Sequence, residues 1–519
     1  MKYFKRSLFS ALLLAAAAGL VLGWILFRHS IGSGEAGKEC SAESGEQTQL
    51  LECRSAADYA GINTRVTYPP SYATMERRPL ILAFPGAPQM QGIRPIQCIL
   101  AEVADRRGNE TMTKWLLDQD CLGILESLTA NLPVDEQRIF FVANGTREVE
   151  FLCRQAPRFA GAVIAMPDAS SDEWQHLPLE NLTQLPVYVD TTVNMRPPVQ
   201  ARRLAQRLRE LGGRVTAPET LVEDGIPALA KATPWLMENQ VRTDLIRWSW
   251  DGSVTAKPWW LTVTARENPS QPARITAEII PGGRPLVEIT AENLTAFSIR
   301  RPTSPEKPLF VNINGARLML PHIRPGEDLQ QHLEFKDGRW QRTAAPGKAQ
   351  DGELWTVGGL LKRPFVIVTG TADENTAEAW RQCGATFAWQ WQQLTGTQPM
   401  LLSDREFLQN TPEDRVPIFF GSPEENHAAT AMLAGIQPQL RDLYRTIHDS
   451  IPDTREICSI SVHASRINAG TDQVIMLIAD SPEAVPHSWL PLCKPDKLMH
   501  NAVFFHYSEP DKIICPEGK

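Results

Sequence analysis

Residues 138–152 read "RIFFVANGTREVEFL". From Ile139 to Ala143 the stretch is a short apolar run, the composition of a strand covered on both faces. Asn144-Gly145 is a turn dipeptide, and the residues after it have the make-up of a helix. A strand that turns straight into a helix is the unit from which parallel sheets are built. The stretch therefore predicts an α/β fold, and its surroundings can be tested against that.

They agree with it. "PLILAF", "GAVIAM" and "PVYVD" are further short apolar runs in residues 54–241. Between them, "ARRLAQRLRELGG" places Leu204, Leu208 and Leu211 on one helical face and stops at a Gly-Gly pair. Arg202, Arg203, Arg207 and Arg209 of that helix read as its solvated face. Around Val241 the period changes to two: "WWLTVTARE", "ARITAEII", "LVEITAENL", "AFSIRR" and "LFVNINGARL" are separated by turn residues, and "EFKDGRWQR" carries an Asp337-Gly338 hairpin. Residues 242–345 are expected to form a β-sandwich-like domain. Trp248, Trp250, Trp259 and Trp260 lie within it as a core cluster or as a sugar-stacking platform, core packing being the simpler reading. After "TAAPGKAQDGE" the strand–helix alternation returns, and 350–519 are expected to form a smaller C-terminal α/β domain.

The N-terminus is of another kind. "MKYFKR" carries three positive charges, and Leu8 to Phe27 are free of charge. Such a run is about the length that spans a bilayer core. Residues 1–29 are therefore read as a membrane anchor, N-terminus in the cytoplasm, or as a signal peptide cleaved near "AAAAG". Residues 30–53, rich in Gly, Ser and Glu, read as a flexible stalk. The expected location is extracytoplasmic, anchored in the inner membrane, or periplasmic or secreted after cleavage. The formal charge of −8 gives no electrostatic reason to expect nucleic acid.

Nine cysteines include no C-x-x-C pair, and the ten histidines include no metal-ligand spacing. No metal and no cofactor is expected. Cys40 with Cys53, and Cys458 with Cys493 or Cys515, are pairing candidates by sequence proximity alone, beside buried unpaired thiols. Two turns, Thr371 to Glu374 and Ser422 to Glu425, follow a strand and a glycine, and both read as capping boxes rather than phosphate cradles. Sequons occur at Asn109, Asn144, Asn181 and Asn293.

Residues 64–240 resemble the α/β-hydrolase family, in particular its secreted esterases and its dienelactone-hydrolase and prolyl-oligopeptidase-like members. The segments that carry this are "RVTYPPSYATMERRPLILAFPGAP", "LPVDEQRIFFVANGTREVEFLCRQAPRFAGAVIAMP", "LPVYVDTTVNMRPPVQARRLAQRLRELGGRV" and "VEDGIPALAKATPWLMEN". The resemblance implies a nucleophile elbow at Ala143 to Arg147, an oxyanion loop at Pro85-Gly86, an acid after "PVYVD" and a histidine loop at Gly225. None of the catalytic side chains is carried over. Gly145 holds the nucleophile slot, Asn194 or Met195 the acid slot and Ile226 the histidine slot; Thr146 is the substitute a one-residue shift would offer. Asp190 and Asp224 flank the acid and histidine slots, and Cys153 lies farther along the elbow helix. A serine nucleophile needs a base and an acid to orient it. The expectation is an inactive hydrolase-fold protein that binds a protein or glycan partner, with Pro85, Gly86, Asn144 and Thr146 lining its pocket. Alternatives are an esterase or peptidase with relocated residues, for which Thr146, Ser170 and Ser171 are the candidate nucleophiles, and a carbohydrate-binding surface protein.

Overall fold

The computed structural model describes residues 47–69, 77–83, 98–103, 110–165, 172–190, 199–217, 228–239, 241–251, 257–268, 271–282, 285–302, 308–323, 329–343, 360–412 and 414–433, with strands at 457–468, 471–479, 502–506 and 509–514. The first sheet has eight strands: β1 (Gln47–Arg54), β2 (Gly61–Tyr68), β3 (Arg78–Ala83), β4 (Ile99–Val103), β5 (Val134–Ala143), β6 (Gly161–Ala165), β7 (Pro186–Asp190) and β8 (Arg214–Thr216). Their spatial order is β1-β2-β4-β3-β5-β6-β7-β8. β2 runs antiparallel to β1 and β4, and every pairing from β4 to β8 is parallel. That order, with its reversed second strand, is an α/β-hydrolase-like sheet.

Four helices accompany it: α1 (Glu110–Asn131), α2 (Thr146–Gln155), α3 (Val199–Glu210) and α4 (Ala228–Glu238). Alternate residues of each strand divide between two cores, as period-two side chains must. Leu80, Leu82, Phe141, Ile164 and Val189 pack with Ile124 of α1, Phe151 of α2 and Leu204 of α3. Ile81, Phe140, Val142, Val163 and Tyr188 pack on the other face with Ala232 and Leu236 of α4.

The segment read as a flexible stalk, 30–53, overlaps a strand. Residues 47–53 belong to β1, laddered against β2 from Gln47↔Tyr68 to Arg54↔Gly61. Their polar composition hid a strand that buries Cys53 in the core. Cys53 sits as a core thiol, and burial raises it above its ordinary range. Cys40, its suggested partner, lies outside the described residues, as do Leu8–Phe27 and Cys493 and Cys515. Among the described residues no helix is long and apolar enough to cross a membrane.

Residues 245–343 form two sheets. One has the order β15-β14-β12-β11-β9 and the other β10-β13-β16-β17, from β9 (Leu245–Trp250), β10 (Leu261–Ala265), β11 (Ala273–Ile280), β12 (Leu286–Glu292), β13 (Ala296–Arg300), β14 (Leu309–Ile313), β15 (Ala316–Leu320), β16 (Gln330–Lys336) and β17 (Arg339–Thr343). Ile275, Ile289 and Val311 of the first and Val263, Phe297 and Leu333 of the second lie in one hydrophobic cluster. The hairpins are sharp because two successive residues take positive φ, Asn314-Gly315 at 50° and 87° and Asp337-Gly338 at 52° and 76°.

The last sheet has seven strands: β18 (Phe365–Thr369), β19 (Met400–Ser403), β20 (Val416–Phe420), β21 (Ile457–Asn468), β22 (Thr471–Ala479), β23 (Ala502–His506) and β24 (Glu509–Ile514). In the order β19-β18-β20-β22-β21-β23-β24 it is parallel up to β22 and antiparallel beyond. Helices α5 (Ala377–Thr395), α6 (Asp404–Gln409) and α7 (His427–Leu433) follow β18, β19 and β20.

Candidate functional site

The turn between β5 and α2 is where the sequence places a nucleophile. Aromatic packing fixes the helix on the strand: Phe141 lies 5.3 Å from Phe151 and 5.1 Å from Phe159, ring centre to ring centre. Val149, Phe151, Leu152 and Cys153 are the buried face of α2. At the far end of the helix, Arg154 donates to Asp118 of α1 at 3.2 Å and to Glu150 at 2.5 Å, and approaches Asp251 at 3.9 Å. Burial works against the charge of Arg154, but the three carboxylates more than offset it and hold the guanidinium ionised. Asn181, itself buried, donates to the carbonyls of Cys153 and Ser249 and accepts from the Ser249 N–H, fastening α2 to β9. That occupation leaves the Asn181 sequon no exposed amide.

Gly145 is the N-cap of α2, with φ 179° and ψ 178°, an extended backbone. No residue from Ala143 to Arg147 lies in the left-handed region of positive φ. A nucleophile elbow is a sharp, strained strand-to-helix turn, and this turn carries no such strain. Asn144, Gly145, Thr146, Arg147 and Glu148 are all half-buried, and Thr146 is the first residue of the helix. No side chain caps α2, and a Cβ built on Gly145 would meet only Glu148 Oε2, at 3.1 Å. The group nearest the tip is thus the end of the flexible Glu148 side chain.

Cys153 is not placed to act as a nucleophile. It is fully buried, and burial, aided by Glu180, pushes its thiol far above the range where thiolate forms. Asp190 ends β7 and is fully buried. Burial and the nearby Asp190 carboxylate raise the Tyr188 phenol to about 12. Pro85, Gly86, Ser170, Ser171, Asn194, Met195, Asp224, Gly225 and Ile226 lie outside the described residues, so of the expected pocket only Asn144 and Thr146, with the slot Gly145, are placed.

A serine–histidine hydrogen bond does occur, but elsewhere. Ser298 Oγ and His332 Nδ1 are 2.7 Å apart across β13 and β16, where the two residues are register partners. Ser298 is fully buried, so the contact is a cross-strand pair inside a sheet. No group of metal-binding side chains occurs among the described residues. Of the four tryptophans, Trp248, Trp250 and Trp260 are buried. Trp259 is half-buried, edge-on to Trp248.

The two expected capping boxes of the C-terminal sheet come out differently. α5 begins at Ala377 with Thr376 as N-cap, not at Thr371. Thr371 is held instead by Asp404, a fully buried carboxylate that accepts from its hydroxyl at 2.6 Å and its N–H at 3.2 Å, and from the His427 N–H at 2.7 Å. The Glu425 carboxylate does reach back to the Ser422 N–H, but the cap of α7 is Asn426, whose side-chain oxygen accepts from Ala429 N–H. A complete capping box closes α6, Ser403 with Glu406, and its signal "SDRE" was present in the sequence. The carboxylate of Asp404 thus sits where the switch-point crevice of a doubly wound sheet would receive an anion.

No protein-family model matches the sequence, and no curated protein matches it. Among solved structures the chain is similar to a thermostable esterase at 18% identity with a TM-score of 0.27, over 38% of this chain and 63% of the esterase. It is similar to the acylaminoacyl peptidase of Pyrococcus horikoshii at 15% identity with a TM-score of 0.30, over 38% of this chain and 42% of the peptidase. A third similarity is to Thermogutta terrifontis esterase 2 phosphorylated by paraoxon, at 13% identity with a TM-score of 0.28, over 37% of this chain and 94% of that one. The chain thus spans less than two thirds of the first two proteins. No residue's role passes across likenesses this distant; strand order and the reversed β2 carry the fold statement.

Proposed function

We propose that this protein is a membrane-anchored, extracytoplasmic α/β-hydrolase-like protein without hydrolase activity, which serves as a binding or scaffolding protein. The observation that carries this reading is the turn at Ala143–Arg147: extended at Gly145, unstrained, and lacking a nucleophilic side chain in the nucleophile slot. Asn194 and Ile226 in the acid and histidine slots add to it from the sequence. With isoleucine in the histidine slot, a Thr146 hydroxyl lacks the imidazole that a hydroxyl nucleophile uses to give up its proton. In this reading the two middle sheets are a β-sandwich and the seven-stranded sheet a C-terminal α/β domain. The run from Leu8 to Phe27 supports the anchor. The burial of three of the four tryptophans speaks against a glycan platform built on them.

A fluorophosphonate probe and p-nitrophenyl butyrate test this directly on the full-length chain. The expected result is no covalent labelling and no hydrolysis above buffer. Labelling, or turnover that Thr146→Ala abolishes, overturns the proposal.

A further inference from the structure

We infer that the seam between the first sheet's helices and β9–β11 binds a short peptide, about three residues with both ends free, its ammonium at the end of α2 and its carboxylate at Arg247. A cavity of about 680 Å³ lies there, a size typical of ligand sites. Its floor is one face of β9 and β11: Arg247 pairs with Thr276 and Ser249 with Arg274, so all four side chains share that face. Leu177, Pro178, Leu211 and Pro272 supply apolar wall. The cavity lies at the C-terminal ends of α2 and α3, away from the turn at Gly145, and does not depend on what that turn does.

The charges around the cavity are sorted by end. Asn181, bonded to the Cys153 carbonyl and to Ser249, sets the neighbouring Glu180 beside the end of α2, where its charge acts on the Cys153 thiol. Glu150 and Asp251 line the same end, and with Asp118 behind them they share the single guanidinium of Arg154. This end is acidic. At the other end, where α3 stops, Arg207 and Arg247 meet one carboxylate, Glu210, 3.5 Å from Arg207. Arg247 donates to the Leu211 carbonyl, which takes one of its five N–H groups and none of its charge. That end is basic. Arg274, on the floor between, is paired with Glu292 at 3.7 Å and tips neither. Over all these groups there is no positive surplus; there is a gradient from α2 to α3. Arg247 and Glu180 make no ion pair among the described residues. A simple anion or cation answers one of them, and only a ligand charged at both ends answers both. A guanidinium fork matches the paired oxygens of a carboxylate. From Arg247 to Asp251 the chain advances about 13 Å at the rise of a strand. An extended peptide gains at most about 3.3–3.6 Å per residue, so about three residues bridge the two ends once the side chains reach inward, and a single amino acid does not. The Ser249 and Thr276 hydroxyls lie between, where they can bond its peptide groups.

Calorimetric titration of the full-length chain, in mild detergent, with trialanine tests the site. At about pH 7 a peptide's α-amino group is mostly charged and an ordinary imidazole mostly neutral. Trialanine is expected to bind with a Kd below about 1 mM. N-acetylation removes the ammonium and C-amidation the carboxylate, and each should weaken binding about tenfold; free alanine, too short to span, should bind no better than the capped peptides. Glu180→Gln should weaken trialanine about tenfold and leave the N-acetylated peptide unchanged, a split that mere loss of structure does not produce. The Glu180 side chain holds no ion pair among the described residues, so its variant folds. Arg203→Gln, on the exposed side of α3, should change nothing. The inference is overturned if trialanine fails to bind below about 1 mM, if a capped peptide or free alanine binds as tightly, or if Glu180→Gln binds trialanine as the parent does.

Discussion

At Ala143–Thr146 and at Phe420–His427 a parallel strand gives way to a helix on the C-terminal edge of its sheet, and the two turns treat the exposed helix donors in opposite ways. After β20, Asn426 caps α7, the Glu425 carbonyl accepts from Ala372 N–H, and Asp404 collects the His427 N–H together with two donors from Thr371. The protein's own carboxylate takes three donors in the crevice. After β5 no side chain caps the helix, and the glycine at its start faces only the tip of Glu148. One edge has chemistry turned inward. The other leaves its helix start without a side-chain cap.

The largest effect should come from removing the internal anion. Asp404→Ala strands the Thr371 hydroxyl, the Thr371 N–H and the His427 N–H in a buried site. Each lost bond to a charged acceptor is worth roughly 1.5–3 kcal/mol, though not additively. A loss of at least about 3 kcal/mol is expected for the unit built on β18–β20. Amide hydrogen exchange at Thr371 and His427 reads it locally, which matters in a chain whose parts need not unfold together. Unchanged protection at both amides would mean the carboxylate does not hold the turn.

The strand that leads to the open turn has a different weakness. Phe140 and Val142 of β5 share a core with Cys98 and Tyr188. Burial pushes the Cys98 thiol up to about 12, against the pull of Arg138 and Arg78. Burial and Asp190 raise the Tyr188 phenol likewise, to about 12. Both neutral forms are favoured in the fold. The stability they represent is complete below the unfolded values of 9.0 and 10.0, and is lost as pH rises through them toward the folded values. Between about pH 8 and about pH 11 the protection of the β5 amides should fall by about 2 kcal/mol, and Cys98→Ala should flatten the slope. A flat profile in the parent would remove the contrast between the two sheets.

How far each region could be read in advance follows the same division. β3, β5, β6 and β7 were legible because strands covered on both faces need continuous apolar runs. β1 was not, since an edge strand with one wet face can be as polar as "QTQLLECR" and its neighbours resembled a linker. The Asp337-Gly338 hairpin was visible because few residue pairs accept two positive φ values in succession. The turn after β5 could be placed by counting along the chain, with Gly145 at its tip. The role of Asp404 could not, because its partners are 33 and 23 residues away and a hydroxyl such as Thr371 bonds whichever group the fold delivers. Thr371 looked like a cap from its local spacing, and a distant carboxylate outcompeted that use.

The smallest effect is the most pointed test of the contrast, because the same substitution is made on both edges. A Cβ on Gly370 would stand 2.4 Å from the Glu425 carbonyl oxygen, a backbone atom held by the ladder between the two loops. Gly370→Ala must therefore move main chain, at a cost of about 1–3 kcal/mol. A Cβ on Gly145 would meet Glu148 Oε2 at 3.1 Å, the free end of a flexible side chain, and the extended backbone there suits any residue. Gly145→Ala should change stability by less than about 0.5 kcal/mol. Denaturant midpoints of the two variants decide the matter. A Gly145→Ala loss as large as that of Gly370→Ala would mean that the β5–α2 turn, like the turn after β20, is closed over by its own chain, and the two edges would no longer differ.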